Sequence, residues 1–272
     1  MPKILVKFFI FFYTTISFAF VANYAAAQNF EMGISLGGAN YFGDLAPTPV
    51  ISETKAAYGF FGRLNLSSTW AWTNSYMLAQ VSGNDKNFDF NSNRNLNFKT
   101  DINEFSSVIE FNYFKYGVGV LDNRFTSYLY AGFSIFGFEP QGYYNGQWYS
   151  LRDFRNEGVT YKTYSYAIPF GIGVKWILNK NFNIEGQFGF RKTYTDYLDD
   201  VSSTYPDIAQ KLKNGGFVSA MLSDPSVLLN GGTFVNKNGY KRGNSDLNDW
   251  YMIAQVSLSY RFYKKVKCSR FY

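Results

Sequence analysis

The sequence predicts an all-β chain: an eight-stranded antiparallel β-barrel that spans a membrane, made behind a cleaved export signal. Three observations predict it. Large apolar residues alternate with small or polar ones in runs long enough to cross a bilayer. Short and long connections between those runs alternate. Aromatic residues reach 21% with 24 glycines, yet the mean hydropathy is slightly polar at −0.21. That balance suits a wall whose greasy face backs onto a polar one.

The N-terminus comes first. Lys3 and Lys7 precede an apolar run from Phe8 to Val21, broken only by Thr14, Thr15 and Ser17. Ala25-Ala26-Ala27 follows as a small-x-small cleavage site, which leaves Gln28 as the mature N-terminus. The run is short of the ~20 residues of a membrane helix, and no later stretch approaches ~18 consecutive apolar residues. The expected division is therefore a signal peptide over 1–27, a barrel over 28–263 and a short basic periplasmic tail over 264–272. Cys268 in that tail is the single cysteine, which excludes an intramolecular disulfide.

Period-2 runs place strands near 30–41, 57–66, 70–82, 98–114, 126–138, 164–178, 182–195 and 249–262. The sharpest is Tyr166 to Trp176. Its even positions are large and apolar, and its odd positions are Ala167, Pro169, Gly171, Gly173 and Lys175. Pro169 is an oddity inside a strand, because it removes a ladder donor. No long segment shows a clear helical period. The second and third strands are joined by Ser67-Ser68-Thr69, and the sixth and seventh by Asn179-Lys180-Asn181. The fourth and fifth are joined by about ten residues around Gly117 to Arg124. Longer polar connections fall at 42–56, 83–97, 139–163 and 196–248. Turns at one end and loops at the other are what a membrane barrel requires.

A barrel of this size is filled by its own side chains. The alternation points Arg63, Glu110, Lys175, Glu185, Gln187, Arg191 and Arg261 inward, with both signs of charge, as a mutually neutralising plug. The chain contains no histidine, which removes Ser-His and Asp-His catalysis and imidazole metal sites. No enzymatic activity, cofactor or small-molecule substrate is expected. The net charge of +6 is too weak and too spread out for nucleic acid. Asp196, Asp199 and Asp200 could hold calcium through oxygen ligands, but they lack the glycine and spacing of a calcium loop. A solvated or hydrogen-bonded loop base is the plainer expectation. The segment 201–248 is far longer than an ordinary connection. Phe217 to Leu222 and Val227 to Leu229 in it could pack over the mouth as a lid or meet a partner.

Several segments resemble the PorG-type (DUF6089-like) family of outer-membrane barrels, found in Bacteroidota as part of the type IX secretion and gliding machinery. They are Gly37 to Leu45, with Asn40, Tyr41, Gly43 and Asp44; Asn93 to Phe98; Tyr128 to Gly132; Ile168 to Lys175; and Arg191 to Ser202, with Lys192, Asp196, Tyr197, Asp199 and Asp200. They fall in order across most of the mature chain, and the last is the most specific. The resemblance implies a non-enzymatic component set in outer-membrane lipid. It also implies partners: the periplasmic ring of the secretion apparatus, a lipoprotein and its soluble companion, which the barrel would anchor or assemble. The alternative is a stand-alone OmpA-like structural or adhesion barrel acting through its surface loops. A third is a small gated channel or a lipid-modifying enzyme.

Overall fold

A computed structural model describes residues 30–116 and 123–262. The expected signal peptide, the basic tail with Cys268 and most of the turn after Tyr116 lie outside the described residues.

Nine strands form among the described residues: β1 Phe30–Phe42, β2 Lys55–Asn65, β3 Trp70–Asn84, β4 Asn97–Asn112, β5 Phe125–Tyr144, β6 Gln147–Ser150, β7 Tyr164–Ile177, β8 Phe182–Thr193 and β9 Trp250–Phe262. Eight of them close a barrel. Every neighbour pairs antiparallel around the order β1-β2-β3-β4-β5-β7-β8-β9, and β9 returns to β1 with Phe30 opposite Phe262 and Phe42 opposite Trp250. A closed sheet leaves no edge to solvate, which is how strands can cross lipid. The thirteen residues of β1, tilted by ~40°, rise about 33 Å along the barrel axis, enough for a hydrocarbon core.

The alternation sets the two faces. Outward side chains include Ile34, Leu36, Ile172 and Val256, each more than half exposed. Their inward neighbours Ser35, Lys175 and Ser257 are buried. The exposed belt is greasy and the interior polar, the reverse of a water-soluble sandwich and the arrangement of a barrel solvated by hydrocarbon. Aromatic pairs ring the turn end: Phe30 stacks on Phe262, while Trp70 with Phe111, Phe125 with Trp176, and Phe182 with Tyr260 meet edge to face. Amphipathic rings favour that depth, where lipid meets water.

Pro169 proves local. The β5–β7 ladder pairs Ala131 with Phe170 and Ser134 with Ala167, and the pairings between them, opposite Pro169 and Ile168, are missing. The register resumes without a slip. Gly173 faces inward for a different reason: a Cβ there would meet the Tyr128 ring at 2.4 Å. The glycines of β7 are room for the tyrosines of β5.

Two expectations fail. The fifth strand does not stop at 138 but continues to Tyr144 and turns at Asn145-Gly146, both at positive φ, into β6. Asn-Gly is a strong hairpin signal, here sitting in a segment that composition marks as loop. The long connection is also not wholly irregular. A helical turn α1 (Leu151–Phe154) precedes β7, and a helix α2 (Ile208–Ser223) lies between β8 and β9. Asp207 caps α2, its carboxylate accepting from the N–H groups of Ala209 and Gln210. The helix is kinked at Gly216, φ 72°. The buried residues, Ser219 to Ser223, all follow the kink, so the segment carries no sustained 3.6-residue pattern to read.

Candidate functional site at the lumen and the mouth

The interior is a stack of charged layers. In the lower one, Arg63 reaches three carboxylates: Glu31 at 3.2 Å, Glu110 at 3.0 Å and Glu185 at 2.5 Å. Lys175 pairs with Glu110, and Arg261 pairs with Glu31 at 3.0 Å. Three cations therefore face three anions, all buried. Tyr128 donates to Glu185, Thr73 to Glu110 and Asn65 to Glu31. One level up, Arg191 lies 3.4 Å from Glu104, which also accepts from the Tyr251 hydroxyl. Each layer is neutral by itself, which is what makes buried charge tolerable. The space left among Ser35, Arg63, Glu185 and Gln255 is about 20 Å³, room for about one water.

The six charged residues expected in the lumen are there, and Gln187 lies half-buried, accepting from Gln255. Glu31 and Glu104 were missed. Both stand on inward positions of their strands, and parity counted from Ser35 or from Glu110 would have found them.

The mouth gathers most of the motif residues. Asn40 donates to the Val50 carbonyl at 2.7 Å and to Thr54 Oγ1 at 3.0 Å, pinning the β1–β2 connection. The Tyr41 hydroxyl lies 2.7 Å from Asp199 Oδ2 and 2.5 Å from Asp249 Oδ1. Gly43 closes a tight turn with Ala46 beside it. A Cβ on Gly43 would meet Tyr41 Oη at 2.1 Å, so only glycine fits. Asp44 donates its N–H to Tyr41 Oη and accepts the Asn244 N–H through its carboxylate. Asp200 accepts from Asn156 at 2.8 Å and from the Tyr161 hydroxyl at 2.6 Å, and Tyr161 stacks on Tyr197 at 4.4 Å. Arg191 stays below in the lumen. Lys192 points outward over the Trp250 ring at 5.7 Å. Asp249, Glu157, Arg94 and Arg242 belong to the mouth and were not singled out. Glu157 and Arg242 are single polar residues in loop stretches with no periodicity to flag them, while Arg94 lies in the Asn93 to Phe98 segment and Asp249 opens the last expected strand, neither marked there for a role.

Arg94 holds Asp85 with two nitrogens and reaches the carbonyls of Arg242 and Asp44. Arg242 binds Glu157 at 3.0 Å and the Asp200 carbonyl at 2.5 Å. Glu157 accepts the N–H groups of Ser202 and Ser203. The residues from Tyr194 to Asp249 are thereby tied to three other connections. Leu198, Val201 and Leu222 join Ala39, Leu45, Phe98 and Phe138 in one apolar core under the cap. This segment is a lid packed on the mouth, with Ala220, Met221 and Val227 buried. Phe217, Leu228, Leu229 and Leu247 remain exposed on its outer side.

Asp196, Asp199 and Asp200 do not converge. Asp199 turns to Tyr41 and Val201, Asp200 to Asn156, Tyr161 and Arg242, and neither oxygen of Asp196 makes a hydrogen bond. Among the described residues no group of three or more such side chains is placed to hold a metal ion. Of the two forms expected of a loop base, the hydrogen-bonded one is found and not the solvated one, since Asp199 and Asp200 are buried and bonded. Burial pushes the Asp196 carboxyl up to about 7. It pushes Asp200 up to about 6 against the pull of Arg242.

No curated protein matches this chain. Among solved structures it is similar to Ail, the attachment invasion locus protein of Yersinia pestis, at 10% identity and a TM-score of 0.42, covering 87% of this chain and all of that one. It is similar also to the N-terminal β-barrel domain of Pseudomonas aeruginosa OprF, at 13% identity and a TM-score of 0.38, covering 86% of this chain and 98% of that one. The third is Neisserial surface protein A, at 9% identity and a TM-score of 0.40, covering 86% and 97%. These are likenesses of shape alone. The model of a family described as a domain of unknown function, DUF6089, matches residues 8–223, well over half of the 272 residues, and the chain belongs to that family.

Proposed function

We propose that the protein is a non-enzymatic outer-membrane barrel of the type IX secretion and gliding machinery, anchoring or assembling its periplasmic ring. The observation that carries this reading is the sealed interior. Two neutral ion-pair layers fill the lumen and a packed lid covers the mouth, so the barrel offers no pathway for solutes. What a sealed barrel can do is stand in lipid and hold other proteins. The resemblance of Gly37 to Leu45 and of Arg191 to Ser202 to the PorG-type family supplies the partner. The greasy belt and its aromatic ring support a chain set in an outer membrane, which would turn the short connections toward the periplasm. The faces available to a ring there are the tight turns at Ser67 and Asn179, the larger turn after Tyr116 and the basic tail. Gentle extraction of a tagged copy tests this. Ring lipoprotein and its soluble companion recovered in fixed proportion would support the anchor, and the barrel alone in several mild detergents would remove it.

A second reading rests on the lid. Exposed Phe217, Leu228, Leu229 and Leu247 could serve a stand-alone barrel that acts at the cell surface. Trimming 205–245 separates the two, since an anchor working from the periplasmic side survives the loss and a surface adhesin does not.

A further inference from the structure

The mouth holds more hydrogen-bond partners than hydrogens. Tyr41 Oη stands 2.7 Å from Asp199 Oδ2, 2.5 Å from Asp249 Oδ1 and 3.0 Å from the backbone nitrogen of Asp44. A phenol has one hydrogen. The Asp44 N–H occupies one lone pair, and the hydroxyl hydrogen can go to one carboxylate. The other carboxylate would then press a lone pair against the phenol oxygen at hydrogen-bond distance, unless it brings a hydrogen itself. The remaining oxygens are already spoken for. Asp199 Oδ1 accepts the Val201 N–H at 2.9 Å, and Asp249 Oδ2 accepts the Leu198 N–H at 2.9 Å. A proton on either acid must sit on the oxygen that faces Tyr41.

Among the described residues no cation is hydrogen-bonded or ion-paired to either acid. Asp44 faces the pair from the β1–β2 connection and Asp196 from the pair's own segment, and Glu157, from the β5–β7 connection, bears on those two acids behind it. Arg94, from the β3–β4 connection, feels the charge of Asp199, but its hydrogen bonds go to Asp85 and to the carbonyls of Arg242 and Asp44. Arg242 is held by Glu157 and Asp200.

We propose that Asp199 and Asp249 share one proton through the Tyr41 hydroxyl, and that this proton fastens the lid to the barrel mouth. Tyr41 ends the first strand, Asp199 belongs to the lid and Asp249 enters the last strand. The shared proton therefore ties the two seam strands to the cap. Burial first, then the charges of Asp249 and Asp44 on Asp199 and those of Asp196 and Asp44 on Asp249, raise both carboxyls well above their ordinary range. A group raised on folding favours the folded state below its ordinary value and loses that contribution as pH climbs through the raised one. Alkali should lift the lid.

Infrared spectroscopy of the intact protein in detergent, at about pH 8.5, reads the proton directly, because Asp196 at about 7 and Asp200 at about 6 are ionised there. The wild type should show the C=O band of a protonated carboxylic acid, and Asp199→Asn and Asp249→Asn should each remove it. Each asparagine supplies its own N–H toward Tyr41 and keeps a carbonyl for Leu198 or Val201. Hydrogen-exchange protection at those two amides should therefore fall at least tenfold as pH rises above about 8.5 in the wild type, beyond the range of Asp196, and stay flat over that range in either variant. Absence of the band in the wild type overturns the proposal. So does a band that survives both substitutions, or protection that falls above about pH 8.5 in the variants as it does in the wild type. If neither variant folds, the wild-type band decides alone: present it supports the shared proton, absent it refutes it.

Discussion

Arg63 and Glu185 are separated by 122 positions in the chain and meet at 2.5 Å in the middle of the barrel. Their strands, β2 and β8, are not neighbours in the sheet, so this contact crosses the lumen. Arg63→Ala leaves Glu31, Glu110 and Glu185 with only Lys175 and Arg261. Removing one partner of a buried network costs about 3–5 kcal/mol. The expected outcome is a lower unfolding temperature in detergent, read by the heat-dependent shift of the folded barrel on a gel.

The same layer is the barrier to conduction. In a planar bilayer the wild type should give no steady single-channel current. Replacing Arg63, Glu110 and Lys175 together by alanine empties the tightest level and should produce small, reproducible openings in any barrel that still folds. A large steady conductance from the wild type would contradict a sealed lumen.

Gly43 is the most constrained position of the mouth. Gly43→Ala would drive a methyl group into Tyr41 Oη and Asp249 Oδ1, at 2.1 and 2.2 Å. Overpacking of this kind costs about 1–3 kcal/mol. Faster proteolysis within the lid is the expected signature, with the heat-dependent gel shift of the barrel less affected.

Asp196 predicts a pH dependence in a lower range than the shared proton. Its carboxyl rises from the ordinary value of 3.8 to about 7. Its contribution is thus complete below about 4 and lost as pH rises to about 7. Lid protection should be greater at pH 5 than at pH 8, by hydrogen exchange over 195–203. Asp196→Asn should raise protection at pH 8 and flatten this part of the profile. An unchanged profile in that variant would discount the residue.

The barrel was legible because its physics is periodic. All eight spanning strands follow from parity, with ends within two residues of those found, save the extension of β5. Lumen charges such as Arg63 and Lys175 were readable for the same reason, as polar residues on the small-residue face. The mouth was not. Tyr41 could be tied to a motif, but its partners Asp199 and Asp249 lie 158 and 208 positions away, and no local pattern links them. The helix α2 escaped because its two glycines break the period and its buried face is only one turn long. Which residues meet a ring lies outside both patterns.

Glu31 and Arg261 give the seam a further meaning. They stand on the first and last strands and are bonded at 3.0 Å across the closure. While the chain is being threaded into lipid, the glutamate arrives first and its arginine last. Until the final strand docks, the lower layer is short of one positive charge in a medium that tolerates none unpaired. An open sheet is penalised and a closed one is not, which favours a seam that closes cooperatively.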